Sequence, residues 1–386
     1  MAEFNVQGLP PELRRTIFDF LPVEDVRNCR VVCHQWNKEI SSAKPLMRMI
    51  WSVVPPPKCI AQAEAGNLPF FKQMMLFAAN KNPTDSKGRT PLHKAAQLGR
   101  VPIFRLLMAN VEDKCPRDNL GSTPLHLAAE WPRCAAACCG VRCDVRDDVR
   151  CDRCEEIGGG VIQHGQVEVM RLLLEHNVDK DARDVAQRTP IHDAVRSGHF
   201  EACCLLLNHQ ADKDARDRYG GTPLHYAAST GEVEVCRLLL QHQADKDARD
   251  SYGETPLHKG ARHGEADVCR VLLENEADKD ARDHNGETPL HCASLHGKLE
   301  VCHLLLENEA DKDARNANGE TPLHRAAEQY AVEVCGLLLE NKADMDARDA
   351  DGKTPLDATR ALGLREEELE TVKVFEEFSR KIKKDH

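Results

Sequence analysis

The tetrapeptide Thr-Pro-Leu-His, or a close variant, begins at Thr90, Thr123, Thr189, Thr222, Thr255, Thr288, Thr321 and Thr354, with a spacing of 33 residues except for one gap of 66. This periodicity restricts the fold more than any other feature, because a chain of near-copies cannot close one large core. Each copy has only its two neighbours to pack against. The 386 residues must therefore be divided by the period and not by the usual size of a globular domain. With 41% apolar but only 4% aromatic residues, the core has to be built from Ala, Leu, Val and Cys, which suits thin stacked helices.

One unit, TPLHYAASTGEVEVCRLLLQHQADKDARDSYGE from Thr222 to Glu254, serves for all. Thr222 is placed to cap a helix whose first residue is Pro223, and Ala227 and Ala228 allow close helix contact. Gly231 ends that helix. Val233, Val235, Cys236, Leu238, Leu239 and Leu240 then predict a second, strongly apolar helix, and DKDARDSYG turns outward before the next unit. The period and the T-P-L-H-x-A signature resemble the ankyrin repeat. The resemblance covers about residues 57–386 and implies an all-α solenoid with short β-hairpin loops, whose concave face binds protein. About nine units fit this register, with residues 57–89 and 354–386 as degenerate capping repeats that finish the stack with a polar outer face.

Register also decides what the recurring polar residues do. His93, His126, His192, His225, His258, His291 and His324 share one position, and the resemblance implies that they bond to neighbouring backbone. Cys203, Cys236, Cys269, Cys302 and Cys335 share another, in the second helix, and are expected to be small core residues. The run HCASLHGKLEVCH at 291–303 has metal-like spacing, but register assigns His291 and Cys302 to the fold, so no metal is expected there. DARDADG at 346–352 lacks the calcium-loop ligand pattern and is expected to be a solvated tip.

The gap of 66 contains WPRCAAACCGVRCDVRDDVRCDRCEEIGGGVIQ, residues 131–163. Joining TPLHLAAE to HGQVEVMRLLLEHNVDKDARD across it restores a complete unit, which places the segment as an insertion between the two helices of one repeat. Cys138, Cys143, Cys151 and Cys154 are candidate zinc ligands, since CDRC has the CxxC spacing. The shuffled V, R, C and D composition points instead to a low-complexity segment, and the second ligand pair is ambiguous. No cofactor is expected.

The segment LPPELRRTIFDFLPVEDVRNCRVVCHQW at 9–36 is unrepeated. Leu13, Ile17 and Leu21, with Phe18 beside them, give one broad apolar helix face. Pro22 closes that helix, and Val26, Cys29, Val32, Cys33 and Trp36 recur at helical intervals after it. Too few residues are present to bury these side chains in a core of their own. The pattern Leu9-Pro10, Glu12-Leu13, Ile17-Phe18, Leu21, Asp25-Val26 and Val32-Cys33-x-x-Trp36 resembles an F-box. That resemblance implies docking on a Skp-type adaptor, bridged to a cullin, with Leu9, Pro10, Leu13, Ile17, Phe18, Leu21, Val32 and Trp36 as contact or helix-packing residues. The expected organisation is an F-box at 1–45, a linker at 46–56 and the repeats at 57–386.

A net charge of −11 repels phosphate backbones and anionic lipid, so neither nucleic acid nor membrane is an expected partner. Seventeen Cys without a secretion signal point to a reducing compartment, cytoplasmic or nuclear. No residues converge as nucleophile, base and oxyanion donor outside the repeat register, so no enzyme is expected. The implied role is that of a non-catalytic substrate receptor of a ubiquitin ligase, with an ankyrin scaffold lacking a ligase role as the alternative. Substrate contacts are expected where the units differ. These are the exposed first-helix positions Lys94, Leu127, Asp193, Tyr226, Lys259 and Arg325, and the tips Arg218-Tyr219, Ser251-Tyr252 and His284-Asn285. The near-identical DKDARD runs suggest stability more than specificity.

Overall fold

The computed structural model describes residues 54, 56–78, 80–130, 159–360 and 366–385. The chain divides at residues 179 and 180 into two compact units. In the first, helices α1 (Pro56–Glu64), α2 (Leu68–Phe77), α3 (Pro91–Gln97), α4 (Val101–Asn110), α5 (Pro124–Ala129) and α6 (Gly159–Glu175) form pairs. In the second, the pairs are α7 (Pro190–Arg196) with α8 (Phe200–Asn208), α9 (Pro223–Thr230) with α10 (Val233–Gln241), and α11 (Pro256–His263) with α12 (Ala266–Glu274). They continue as α13 (Pro289–Leu295) with α14 (Leu299–Glu307), and α15 (Pro322–Glu328) with α16 (Val332–Glu340), before α17 (Pro355–Arg360) and α18 (Glu366–Asp385). Within a unit, first helices stack on first helices and second on second. The architecture is all-helical, and the described residues contain no strand. The connecting loops are tight reversals. Asp217 N–H donates to the Gly221 carbonyl and Gly220 N–H to the Asp217 carbonyl, both at 3.0 Å, so the turn closes on itself between Asp217 and Gly221.

Each first helix starts as its sequence dictates. Thr222 has extended backbone at the cap, Pro223 is the first helical residue, and Gly231 ends the helix with φ 77°. Side chains small enough for close approach then fill the interface: Leu224, Ala227, Ala228, Cys236 and Leu239 are fully buried. The second-helix cysteines are likewise buried and unbonded, and burial pushes the Cys236, Cys269, Cys302 and Cys335 thiols up to about 12. They remain protonated and act as small apolar residues.

The recurring histidine joins one repeat to the next. The Thr222 N–H donates to His225 Nδ1 at 3.1 Å, and His225 Nε2–H donates to the Glu254 carbonyl at the end of the following loop, at 2.9 Å. His93, His192, His258, His291 and His324 make the same pair of bonds. Because Nδ1 accepts from a backbone N–H, the ring must be the neutral Nε2–H tautomer. Asp357 stands at the histidine position of the next motif, and its carboxylate Oδ2 accepts the Thr354 N–H at 3.0 Å.

The DKDARD runs add a second ladder. Asp181, Asp214, Asp247, Asp280 and Asp313 each accept, at 2.8 Å, the backbone N–H of an Asp in the next repeat. The tips add a third, in which Ser251 N–H donates to the Tyr219 carbonyl at 2.8 Å and His284 N–H to that of Tyr252 at 3.0 Å. These runs are therefore structural in every copy.

The repeat around the insertion departs from its siblings. Gly198, Gly231 and Gly264 have positive φ and separate their two helices, whereas Gly165 does not, and α6 runs through it without a break. Residues 159–163, assigned from sequence to the insertion, are helical here. Gly165 serves close approach instead: a Cβ would lie 2.3 Å from the Gly99 carbonyl oxygen. Beside it the buried Gln166 Nε2 donates to the carbonyls of Gln97 at 2.8 Å and Glu130 at 3.2 Å, fastening α6 to α3 and to the end of α5. The candidate ligands Cys138, Cys143, Cys151 and Cys154 lie outside the described residues, as do Leu9, Pro10, Leu13, Ile17, Phe18, Leu21, Val32 and Trp36.

Burial holds the His192 and His225 imidazoles down at about 4, against about 6.5 in an unfolded chain. The unfolded state takes up protons first, so the stability these residues contribute is complete above about pH 6.5 and is lost as pH falls toward 4. Thermal unfolding should show a midpoint that is level above neutrality and drops between about pH 6.5 and 5, with a shallower drop in His225→Gln. A midpoint independent of pH across that window would contradict the assigned tautomer. A second expectation concerns Gly260, which stands inside α11 where sibling repeats have Ala. A Cβ added there would be crowded only by the Cys269 Sγ, at 2.9 Å, and the equivalent thiol coexists with Ala in the Ala227–Cys236 repeat. Gly260→Ala should stabilise by about 0.5–1 kcal/mol, read from the denaturation midpoint.

Candidate protein-binding surface

The positions that differ between units fall into two groups. The first comprises the loop tips, where the chain reverses and the side chains have nothing to cover them. Tyr219 and Tyr252 are 56% and 58% exposed, and Arg218, Ser251, His284 and Asn285 are exposed as well. The Arg218 guanidinium lies 6.0 Å from the Tyr219 ring centroid and Lys259 Nζ 5.7 Å from that of Tyr252. Val185, at the preceding tip, is 57% exposed. Three consecutive tips of the second unit thus present apolar or aromatic surface on a hydrogen-bonded backbone.

The second group, the residue after each TPLH motif, is not the exposed row that the sequence suggests. Leu127 and Asp193 are buried, at 4% and 5%, as is Cys292 at 1%, while Lys94, Tyr226, Lys259 and Arg325 are half-buried. For the polar members of the row the reason is electrostatic, whereas Leu127 and Cys292 are buried as apolar residues. Every tip begins with a carboxylate or amide whose Oδ1 accepts the loop N–H groups, as Asp217 does from Tyr219 and Gly221 at 2.8 Å. At Asp217 and Asp250 the other oxygen takes its donor from the half-buried residue. Tyr226 Oη–H donates to Asp217 Oδ2 at 2.7 Å, and Lys259 Nζ lies 2.8 Å from Asp250 Oδ2 and also binds Glu254. Asp193 pairs with Arg188 and Arg196, both at 3.4 Å.

Arg325 reaches back one repeat to Glu287, while also lying 3.1 Å from Glu328 and 3.7 Å from Glu320. Arg262 pairs with Glu254. These groups knit neighbouring repeats together, and only their outer edges reach solvent. Sequence inspection missed Glu254, Glu287 and Glu320, although their recurrence immediately before the motif, opposite Lys or Arg, was a visible signal.

Burial of the Tyr226 phenol and its bond to Asp217 both raise its pKa, so it stays a donor. Around Cys292 the metal-like spacing dissolves: both His291 nitrogens are occupied, and His303 sits on the opposite surface with Glu307 at 3.4 Å. Among the described residues no cluster of three or more His, Cys, Asp or Glu could hold a metal ion.

Removing the phenol in Tyr226→Phe leaves Asp217 Oδ2 without its donor and should lower stability by about 1–3 kcal/mol. Tyr219→Ala and Tyr252→Ala should stay within about 0.5 kcal/mol of the parent. Chemical denaturation of the three variants separates the interlocking residue from the exposed ones.

Comparison with family models agrees with this geometry. The model described as ankyrin repeats (3 copies) matches residues 59–142, 161–217, 211–283, 250–316, 275–349 and 309–365. The break between 142 and 161 falls inside the insertion. A model described as F-box-like matches residues 6–50. No curated protein matches the chain.

Proposed function

Because the chain belongs to the ankyrin-repeat family and carries an F-box-like domain ahead of its repeats, we propose that it is the non-catalytic substrate receptor of a Skp-cullin-F-box ubiquitin ligase. The pairing of the two modules in one polypeptide carries this reading. The F-box-like segment attaches to a Skp-type adaptor, and the repeats hold a substrate protein close to the ubiquitin-loaded enzyme. The chain contributes effective concentration and orientation and no bond-making chemistry. Adaptor contacts are assigned to Leu9, Pro10, Leu13, Ile17, Phe18, Leu21, Val32 and Trp36. Substrate contacts are assigned to the exposed tips Arg218, Tyr219, Ser251, Tyr252, His284 and Asn285, with the outer edges of Lys94, Tyr226, Lys259 and Arg325. Leu127 and Asp193, which are buried, are left out of the contacts. Among the described residues no helix is long and apolar enough to cross a membrane, and the site of action is proposed as cytoplasmic or nuclear.

Capture of purified Skp adaptor and cullin by the full chain is the test. Leu13→Asp combined with Ile17→Asp should abolish capture with an unchanged repeat melting transition, because two unpaired carboxylates in an apolar interface cost several kcal/mol, by an order-of-magnitude estimate. A folded chain that captures no adaptor would leave an ankyrin scaffold without a ligase role.

A further inference from the structure

The arginine of the DKDARD run recurs once per repeat, and its guanidinium is only partly used. Arg216, Arg249, Arg282, Arg315 and Arg348 are all exposed. Arg216 Nη1–H donates to the Arg249 carbonyl, Arg249 to that of Arg282 and Arg315 to that of Arg348, each at 2.6 Å, and Arg282 does the same to Arg315. Arg348, last in the series, donates to Gly352 at 2.7 Å. One nitrogen of each guanidinium is thereby tied to backbone, so the side-chain freedom that an exposed arginine ordinarily loses on binding is already lost. The remaining N–H donors form the fork that suits a carboxylate.

The neighbouring acids are engaged elsewhere and make no ion pair with these arginines. Asp214 Oδ1 accepts from Asp245 N–H and its Oδ2 binds Lys213 Nζ at 2.6 Å. Asp245 accepts the Asp247 N–H at 3.1 Å, and Asp250 is buried under Lys259 and its own loop. Among the described residues none of the five arginines stands in an ion pair. The overall charge of −11 is a long-range repulsion for an anionic partner, but at physiological ionic strength it is screened beyond about 8 Å. Within that range the charges of Asp245, Lys246, Asp247 and Arg249 cancel, so a carboxylate reaches the guanidinium without net local repulsion.

Spacing selects the conformation of the partner. Stacked helices repeat at about 8–10 Å. A polyproline-II segment has three residues per turn and rises about 3.1 Å per residue, so every third side chain returns to the same face after about 9 Å. In a β-strand, residues three apart point to opposite faces and cannot follow the row. We propose that Arg216, Arg249, Arg282, Arg315 and Arg348 dock a polyproline-II segment of a partner protein that carries Glu or Asp at every third residue. The receptor reading is needed only to make that partner the substrate.

The test is fluorescence anisotropy with the full chain and a labelled peptide of five Glu-Pro-Pro triplets, against a peptide of the same composition with its Glu residues clustered and a Lys-Pro-Pro peptide. The periodic acidic peptide should bind at least about tenfold more tightly than the clustered one, weaken with salt, and lose about tenfold in the Arg249→Gln, Arg282→Gln, Arg315→Gln triple variant. Equal binding by the clustered peptide, undiminished binding by a triple variant of unchanged melting temperature, or no binding would each overturn the proposal. Should the triple variant not fold, the two Glu peptides on the unaltered chain decide by themselves. Adaptor capture by the same preparation separates the two readings, since lost peptide binding with intact capture rejects the docking row alone.

Discussion

The bond pair made by the motif histidine is the interaction on which the rest of the repeat architecture depends. In one ring, Nδ1 caps the first helix and Nε2 grips the carbonyl that ends the next loop. Helix initiation and repeat-to-repeat registration are therefore the same event, and neither can be adjusted without the other. This geometry requires a neutral imidazole in a buried setting, and burial depresses the pKa in the required direction. Loops placed in this way by identical chemistry leave each tip at a defined place relative to its neighbour.

On that frame the polar residues divide by what they can reach. Asp and Arg of the DKDARD run satisfy backbone groups one repeat away, while Tyr226, Lys259 and Arg325 satisfy the carboxylates left over beneath the tips. The variation at this inner row is thus coupled variation: a phenol, an ammonium and a guanidinium are alternative donors to nearby carboxylates. Exposed tips carry no such obligation. Tyr219 and Tyr252 hold their positions through backbone bonds, and their rings stay more than half exposed.

Much of this is legible in the order of residues. Thr222, Pro223, Gly231 and the Leu-rich stretch after it specify a helix pair by local rules alone, and the period carries that assignment along the array. The histidine and cysteine positions follow from register. Burial at a position that looks polar and variable is not legible, because Asp193 and Leu127 are buried where Lys94, Tyr226, Lys259 and Arg325 at the same register position are half-buried. Gly165 misleads for a related reason. Its siblings use glycine for a left-handed turn, and here the same residue is kept for contact with the Gly99 carbonyl.

The all-helical repeat, its register and the presence of two modules can all be read from the amino-acid order, because they follow from short-range stereochemistry repeated many times. Which variable residues face outward, and which guanidinium donors remain available, is settled only in the folded array. The available guanidinium donors depend on hydrogen bonds to carbonyls 33 residues away, and a backbone carbonyl has no identity in a sequence from which its partner could be read.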